Sequence, residues 1–177
     1  MIAHAMTRVL GALAILALLG SALHAQTKVR TPPEAAALAG QHPAEYYRQA
    51  AKLFGTASRK DDAVFVFYLG QLRYRAHLQA RKDLKPDGDP ALFGSLSEVV
   101  GRPLNEYAFG DLARLVDIID AVLAYDAANP DRFTPPAQFP NVYVGVRDGL
   151  GKMKAQVLRD ADQIRETRRK NGLENRK

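Results

Sequence analysis

Ala63-Val64-Phe65-Val66-Phe67-Tyr68-Leu69 is the stretch on which the fold turns. Taken alone, its β-branched and aromatic residues favour a strand, and an unbroken apolar run lacks helical alternation. The residues that follow decide for a helix. Phe65, Leu69, Leu72 and Ala76 make one stripe, with Tyr68 beside Leu72, while Arg73, Arg75, Gln79 and Arg81 fall outside it. Asp61 and Asp62 stand where acids complement a helix N-terminus. The segment therefore reads as a helix from Asp61 to about Lys82, buried all round at its start and amphipathic at its end. With that helix in place the fold class is all-α.

Outward from this element, the remaining segments also read as helices. Thr31-Pro32-Pro33-Glu34 offers a capping hydroxyl, first-turn prolines and a Glu three residues on, before Ala35 to Ala39. His42-Pro43 opens a second helix, with Tyr47, Ala50, Ala51 and Phe54 at helical spacing until Gly55. Asp83 to Asp89 form a loop, Asp89-Pro90 starts a helix through Val100, and Gly101-Arg102-Pro103 breaks the chain. Asp111 caps a helix carrying Leu112, Leu115, Val116, Ile119, Val122 and Leu123, stopped by Asn129-Pro130. Phe133 to Val144, with Pro135, Pro136 and Pro140, is too punctuated for regular structure and is expected to pack as a loop. A last helix runs from about Val146 to Lys170, with Gly149 and Gly151 weakening its start. The expectation is a compact bundle of about six helices.

The pair of helices over 43–81 resembles a tetratricopeptide hairpin. Tyr47, Ala51 and Phe54 in the first helix, and Ala63, Phe67 and Gly70 in the second, stand at that family's large and small packing positions. Ser58 replaces the family's interhelix glycine and Arg75 its closing proline, and no second copy follows at a matching period. The resemblance implies a protein-binding module in which small residues let two helices approach while aromatics fill the grooves.

The chain begins with a secretory grammar. Arg8 gives a positive start, Val9 to Leu19 are apolar apart from Gly11, and Gly20 to Ala25 end in a small residue, with Leu23 at the third position before the cut. Cleavage is expected between Ala25 and Gln26, leaving 152 residues in a periplasmic or secreted protein. The apolar run is short of the ~20 residues a spanning helix needs. No cysteine is present, so the domain has no disulfide framework and must fold on its hydrophobic core. The formal charge is +6, but Gln26 to Gly151 carry fifteen basic and fifteen acidic residues. The excess belongs to the C-terminal segment. The chain is read as one all-α domain over 26–170 with a polar basic tail over 171–177.

Chemical motifs are scarce. Asp117, Asp120 and Asp126 could face a hard cation, but a solvated helix face explains them more simply. His42 and His77 stand in no metal-ligand spacing and read as surface or rim residues. Gly94-Ser95-Leu96-Ser97 lacks the glycines of a nucleophile elbow, and Gly149-Leu150-Gly151-Lys152 is too short for a phosphate loop. No catalytic residue and no cofactor are assigned. Arg165, Arg168, Arg169 and Lys170 suit a helix C-terminus and form a candidate polyanion site for an anionic envelope surface; no nucleic acid is expected. Tyr46, Tyr47, Phe65, Tyr68 and Tyr74 are the candidate partner-binding residues, because one hairpin cannot bury so many aromatics alone. The expected function is an exported helical module that binds a protein partner, as an envelope accessory or toxin-immunity protein would. The alternative is a cell-envelope enzyme whose catalytic residues are dispersed in sequence.

Overall fold

The run Ala63 to Leu69 is helical, and none of its side chains is more than 2% exposed. It lies in α3 (Lys60–Ala80), the axis of a computed structural model that describes residues 29–176. The expected signal segment and its cleavage point lie outside the described residues, as does Lys177. A helix apolar on every side must be surrounded, and α3 is. It is flanked by α2 (Ala44–Phe54), α6 (Leu112–Ala128) and α7 (Pro140–Arg159), with α1 (Pro33–Ala37) nearby. The described residues contain no strand. Burying each of Phe65, Phe67 and Leu69 contributes roughly 1.5–3 kcal/mol, so this helix organises the core.

The α2 and α3 hairpin has the most extensive interface in the fold, and Gly70 makes it possible. A Cβ on Gly70 would lie 2.3 Å from Tyr46 Cβ, so the two helices approach more closely than any side chain at 70 allows. Ala51, a small position in the tetratricopeptide reading, is instead exposed. The close approach is therefore made by Gly70 against Tyr46. A short 3-10 turn, Ala57–Arg59, joins the helices. Arg59 there grips Glu34 of α1 at 2.9 Å and also pairs with Asp62.

Three expected boundaries differ. Gly101-Arg102-Pro103 does not break the chain: α4 (Asp89–Leu96) passes through a π-helical turn, Ser97–Gly101, into α5 (Arg102–Ala108). A widened turn accommodates Pro103, which lacks an N–H, and Gly101 lets the Phe67 ring approach to 3.0 Å from where a Cβ would be. The second difference is at Pro140, which starts α7 at a position where proline fits because its missing N–H would be unpaired anyway. The third is at Asp160, where the last helix divides into α7 and α8 (Ala161–Lys170). These changes give eight α-helical segments among the described residues where about six were expected. None is long and apolar enough to cross a membrane.

The end of the chain is not a loose tail. Gly172 takes φ +69°, while Leu173 N–H donates to Arg168 O and Gly172 N–H to Arg169 O, closing α8 with a Schellman motif. Arg176 then docks on α5. Its backbone N–H donates to Gly110 O at 2.7 Å, and its guanidinium lies 3.8 Å from the Tyr107 ring centre.

Candidate functional site

The five aromatics expected to face a partner all point inward. Tyr46, Tyr47, Phe65 and Tyr74 are 0% exposed and Tyr68 is 2% exposed. They cannot line a surface groove, because α4, α5 and α6 supply the neighbours that the hairpin lacks in isolation. Tyr47 meets Phe67, Tyr74 and Phe93 edge to face; Phe65 meets Tyr125; Tyr68 donates to Asn105 Oδ1 at 2.8 Å.

Of the four C-terminal cations, Arg168 is turned inward, while Arg165, Arg169 and Lys170 stay at the surface, each beside an acid. Arg165 pairs with Asp162, and Arg169 and Lys170 both pair with Glu166. Arg168 is buried and donates to Glu174 O at 2.7 Å, holding the returning chain. These pairings follow from three- and four-residue spacings along one helix.

Two charged residues assigned by sequence to the solvated side of a helix are core residues. Arg73 is 1% exposed and Asp126 0%. Arg73 donates to Asp126 Oδ1 at 3.1 Å, to Tyr46 Oη at 2.5 Å and to Asn129 O at 2.7 Å, while Arg147 of α7 reaches Asp126 Oδ2 at 2.8 Å. Each oxygen of the buried Asp126 carboxylate thus faces a guanidinium, which offsets the cost of removing it from water. This network joins α2, α3, α6 and α7. Asp120, by contrast, is exposed and pairs with Lys154.

Beside the network, residues distant in sequence converge. His42 precedes α2, His77 ends the buried face of α3, and Asp89 opens α4. His42 Nε2 is 3.2 Å from Asp89 Oδ1 and His77 Nε2 is 2.9 Å from Asp89 Oδ2. Both imidazoles favour the ionised carboxylate, and they hold Asp89 below the usual carboxylate range against the opposing effect of burial, the largest single influence. His77 Nδ1 faces Thr134 Oγ1 at 3.3 Å, and His42 Nδ1 accepts from Ala44 N–H at 3.1 Å. Phe133 packs against both imidazoles, each ring centre 5.1 Å away. Thr134, His77 and Asp89 thus line up as hydroxyl, imidazole and carboxylate, but Thr134 is buried away from any substrate. Sequence reasoning missed this trio because its members stand 35 and 12 positions apart, and the prolines after His42 and Asp89 mark helix starts and not ligands. His77 is a core residue, not a rim residue.

The surface also carries two depressions. One of about 400 Å³ lies between α5 and α8, lined by Glu106, Phe109, Asp160 and Ile164 among others, and is broadly open. The other, of about 350 Å³, is a more enclosed groove between α3 and α7. Leu72, Val146, Leu150 and Met153 give it apolar walls, and Gln71, Arg75 and Gln79 edge it. Gly145 and Gly149, one turn apart on α7, line it as bare backbone: a Cβ at either would meet nothing within 4 Å. Val144, beside Gly145, is 67% exposed. Comparison of the chain with protein-family profiles, with curated proteins and with solved structures finds no significant match.

Proposed function

We propose that the protein is an exported binding module that holds a helical segment of a partner protein in the α3–α7 groove. The expectation of export rests on the N-terminal residues, with their single Arg8, apolar run and small-residue ending. The observation that carries the binding reading is the pair Gly145 and Gly149. Glycine inside a helix costs about 0.5–1 kcal/mol relative to alanine. Gly70 and Gly101 repay that cost within the molecule by admitting Tyr46 and Phe67, whereas Gly94, Gly145, Gly149 and Gly151 face open space, and of these four Gly145 and Gly149 line the groove. Their use is to let an outside backbone come close to α7, as small residues do wherever helices approach tightly.

The occupant that fits is an amphipathic helix. Its apolar side would cover Leu72, Val146, Leu150 and Met153, and a carboxylate on its flank would meet Arg75, which among the described residues pairs with no acid and rests over Phe93. An envelope accessory subunit or a toxin-immunity protein would use such a surface. The test is capture by the mature chain, Gln26 to Lys177, with two variants at one position. Gly149→Ala puts a methyl group where the partner's backbone would approach and should weaken capture of a stoichiometric, salt-resistant partner; Gly149→Leu fills the groove and should abolish it. Capture by both variants equal to that of the unmodified chain would remove the groove from the function.

A further inference from the structure

We propose that His42, His77 and Asp89 form a binding site for one divalent transition-metal ion of the zinc type. The three residues each offer one ligand atom, and these atoms lie within 4.8 Å of one another. The nitrogen-to-oxygen separations of 3.2 Å and 2.9 Å are close to those that donors adopt around a tetrahedral zinc ion, roughly 3.3 Å apart for bonds of about 2.0–2.1 Å. His42 and His77 face different oxygens of Asp89, and with all three ligand atoms within 4.8 Å of one another a small turn of the side chains closes them on an ion. Two imidazoles with one carboxylate select borderline cations over magnesium or calcium, which favour all-oxygen sets. The carboxylate also supplies a negative charge at the site.

The surroundings match this use. His42 and Asp89 are partly exposed, with side chains 31% and 23% accessible, so an ion can enter; His77 is buried and held in place. Thr134 Oγ1 can accept the Nδ1 proton of a metal-bound His77, the outer contact that fixes a ligand imidazole. Phe133 and Tyr74 wall the site with aromatic surface. One rearrangement is required. Binding through His42 Nε2 moves that ring's proton to Nδ1, which now accepts from Ala44 N–H, so the ring must turn and give up one bond at the start of α2. The ring sits on the connection ahead of the helix, where it can turn. Three protein ligands leave a position for water, and the bound ion would staple the approach to α2, the end of α3 and the start of α4 together.

The site is tested with the untagged mature chain, freed of metal by a chelator and titrated with zinc by calorimetry and with cobalt(II) by visible absorption. The expected result is one equivalent bound, a higher Tm with zinc, and the visible bands of a low-coordinate cobalt–imidazole centre. His42→Gln should weaken zinc binding by more than the roughly 10- to 100-fold that loss of an outer contact costs. Asp89→Asn, which keeps the shape of the cluster, should do the same if His42→Gln folds poorly. No stoichiometric uptake by the unmodified chain would overturn the proposal, leaving a hydrogen-bonded clamp. Uptake unchanged in a folded variant would overturn it as well, placing the metal elsewhere.

Discussion

Tyr47 and Tyr143 are both buried phenols, yet their hydroxyls are placed differently. Tyr143 Oη lies 2.9 Å from both Asp131 Oδ2 and Thr134 O, and its one proton is shared between these two acceptors. Tyr47 Oη faces Ser97, but neither hydroxyl reaches a partner with hydrogen-bond geometry. A buried hydroxyl without a partner is a standing penalty, so Tyr47→Phe should leave stability unchanged or raise it by up to about 1 kcal/mol, whereas Tyr143→Phe should cost about 1–3 kcal/mol. Urea denaturation of the two variants separates these outcomes. Burial also pushes the Tyr47 phenol up to about 12 from an ordinary value near 10. The folded-state value is the higher one, so stability is unaffected by this group below pH 10 and falls as pH rises from 10 through 12, where the unfolded chain ionises first. That loss is on the order of 2–3 kcal/mol for Tyr47. Tyr68, Tyr74 and Tyr143 are displaced in the same direction, chiefly by burial. An alkaline titration followed by circular dichroism should show unfolding that sets in above pH 10, and Tyr47→Phe should move it to higher pH.

Gly70 and Gly149 separate internal packing from an outward-facing surface. Gly70→Ala places a methyl group on Tyr46 and should cost about 1–3 kcal/mol or more, because α2 must shift. Gly149→Ala meets open space and should stabilise by about 0.5–1 kcal/mol through helix propensity alone. Thermal melts of the two variants should therefore move in opposite directions. The sequence made α3 and α6 legible because each has a consistent pattern: a stripe that continues beyond Leu69 in one, and in the other Asp111, whose Oδ1 accepts Arg114 N–H at 3.0 Å as a cap should. It did not reveal the π turn, since Gly101-Arg102-Pro103 reads as a break unless Phe67 is known to press on Gly101. Gly149 was legible only as a weak point of its helix; that it lines a groove follows from where α7 lies against α3. Arg73 and Asp126 read as surface charges because nothing local announces a partner 53 positions away.

Across the molecule, the network of Tyr46, Arg73, Asp126 and Arg147 ties four helices, and the chain end closes on α5 by a separate set of contacts. Deletion of Asn171 to Lys177 should leave the bundle folded but remove the α8 cap and the Arg176 contact with Tyr107. The expected loss is about 1–2 kcal/mol, seen as a Tm lower by several degrees. An unchanged Tm would mean that the docked end is dispensable to stability. The His42, His77 and Asp89 trio and the α3–α7 groove share α3 but no residue, and they rest on different chemistry, so each can fail without the other. The groove carries the functional reading, and photo-crosslinking in cells tests it most directly. A photoreactive residue at Gln79, on the edge of the groove, should yield one discrete crosslinked protein, and the same residue at exposed Lys52 on α2 should not. No product from Gln79, or the same products from both positions, would contradict the assignment of the α3–α7 groove as the binding surface.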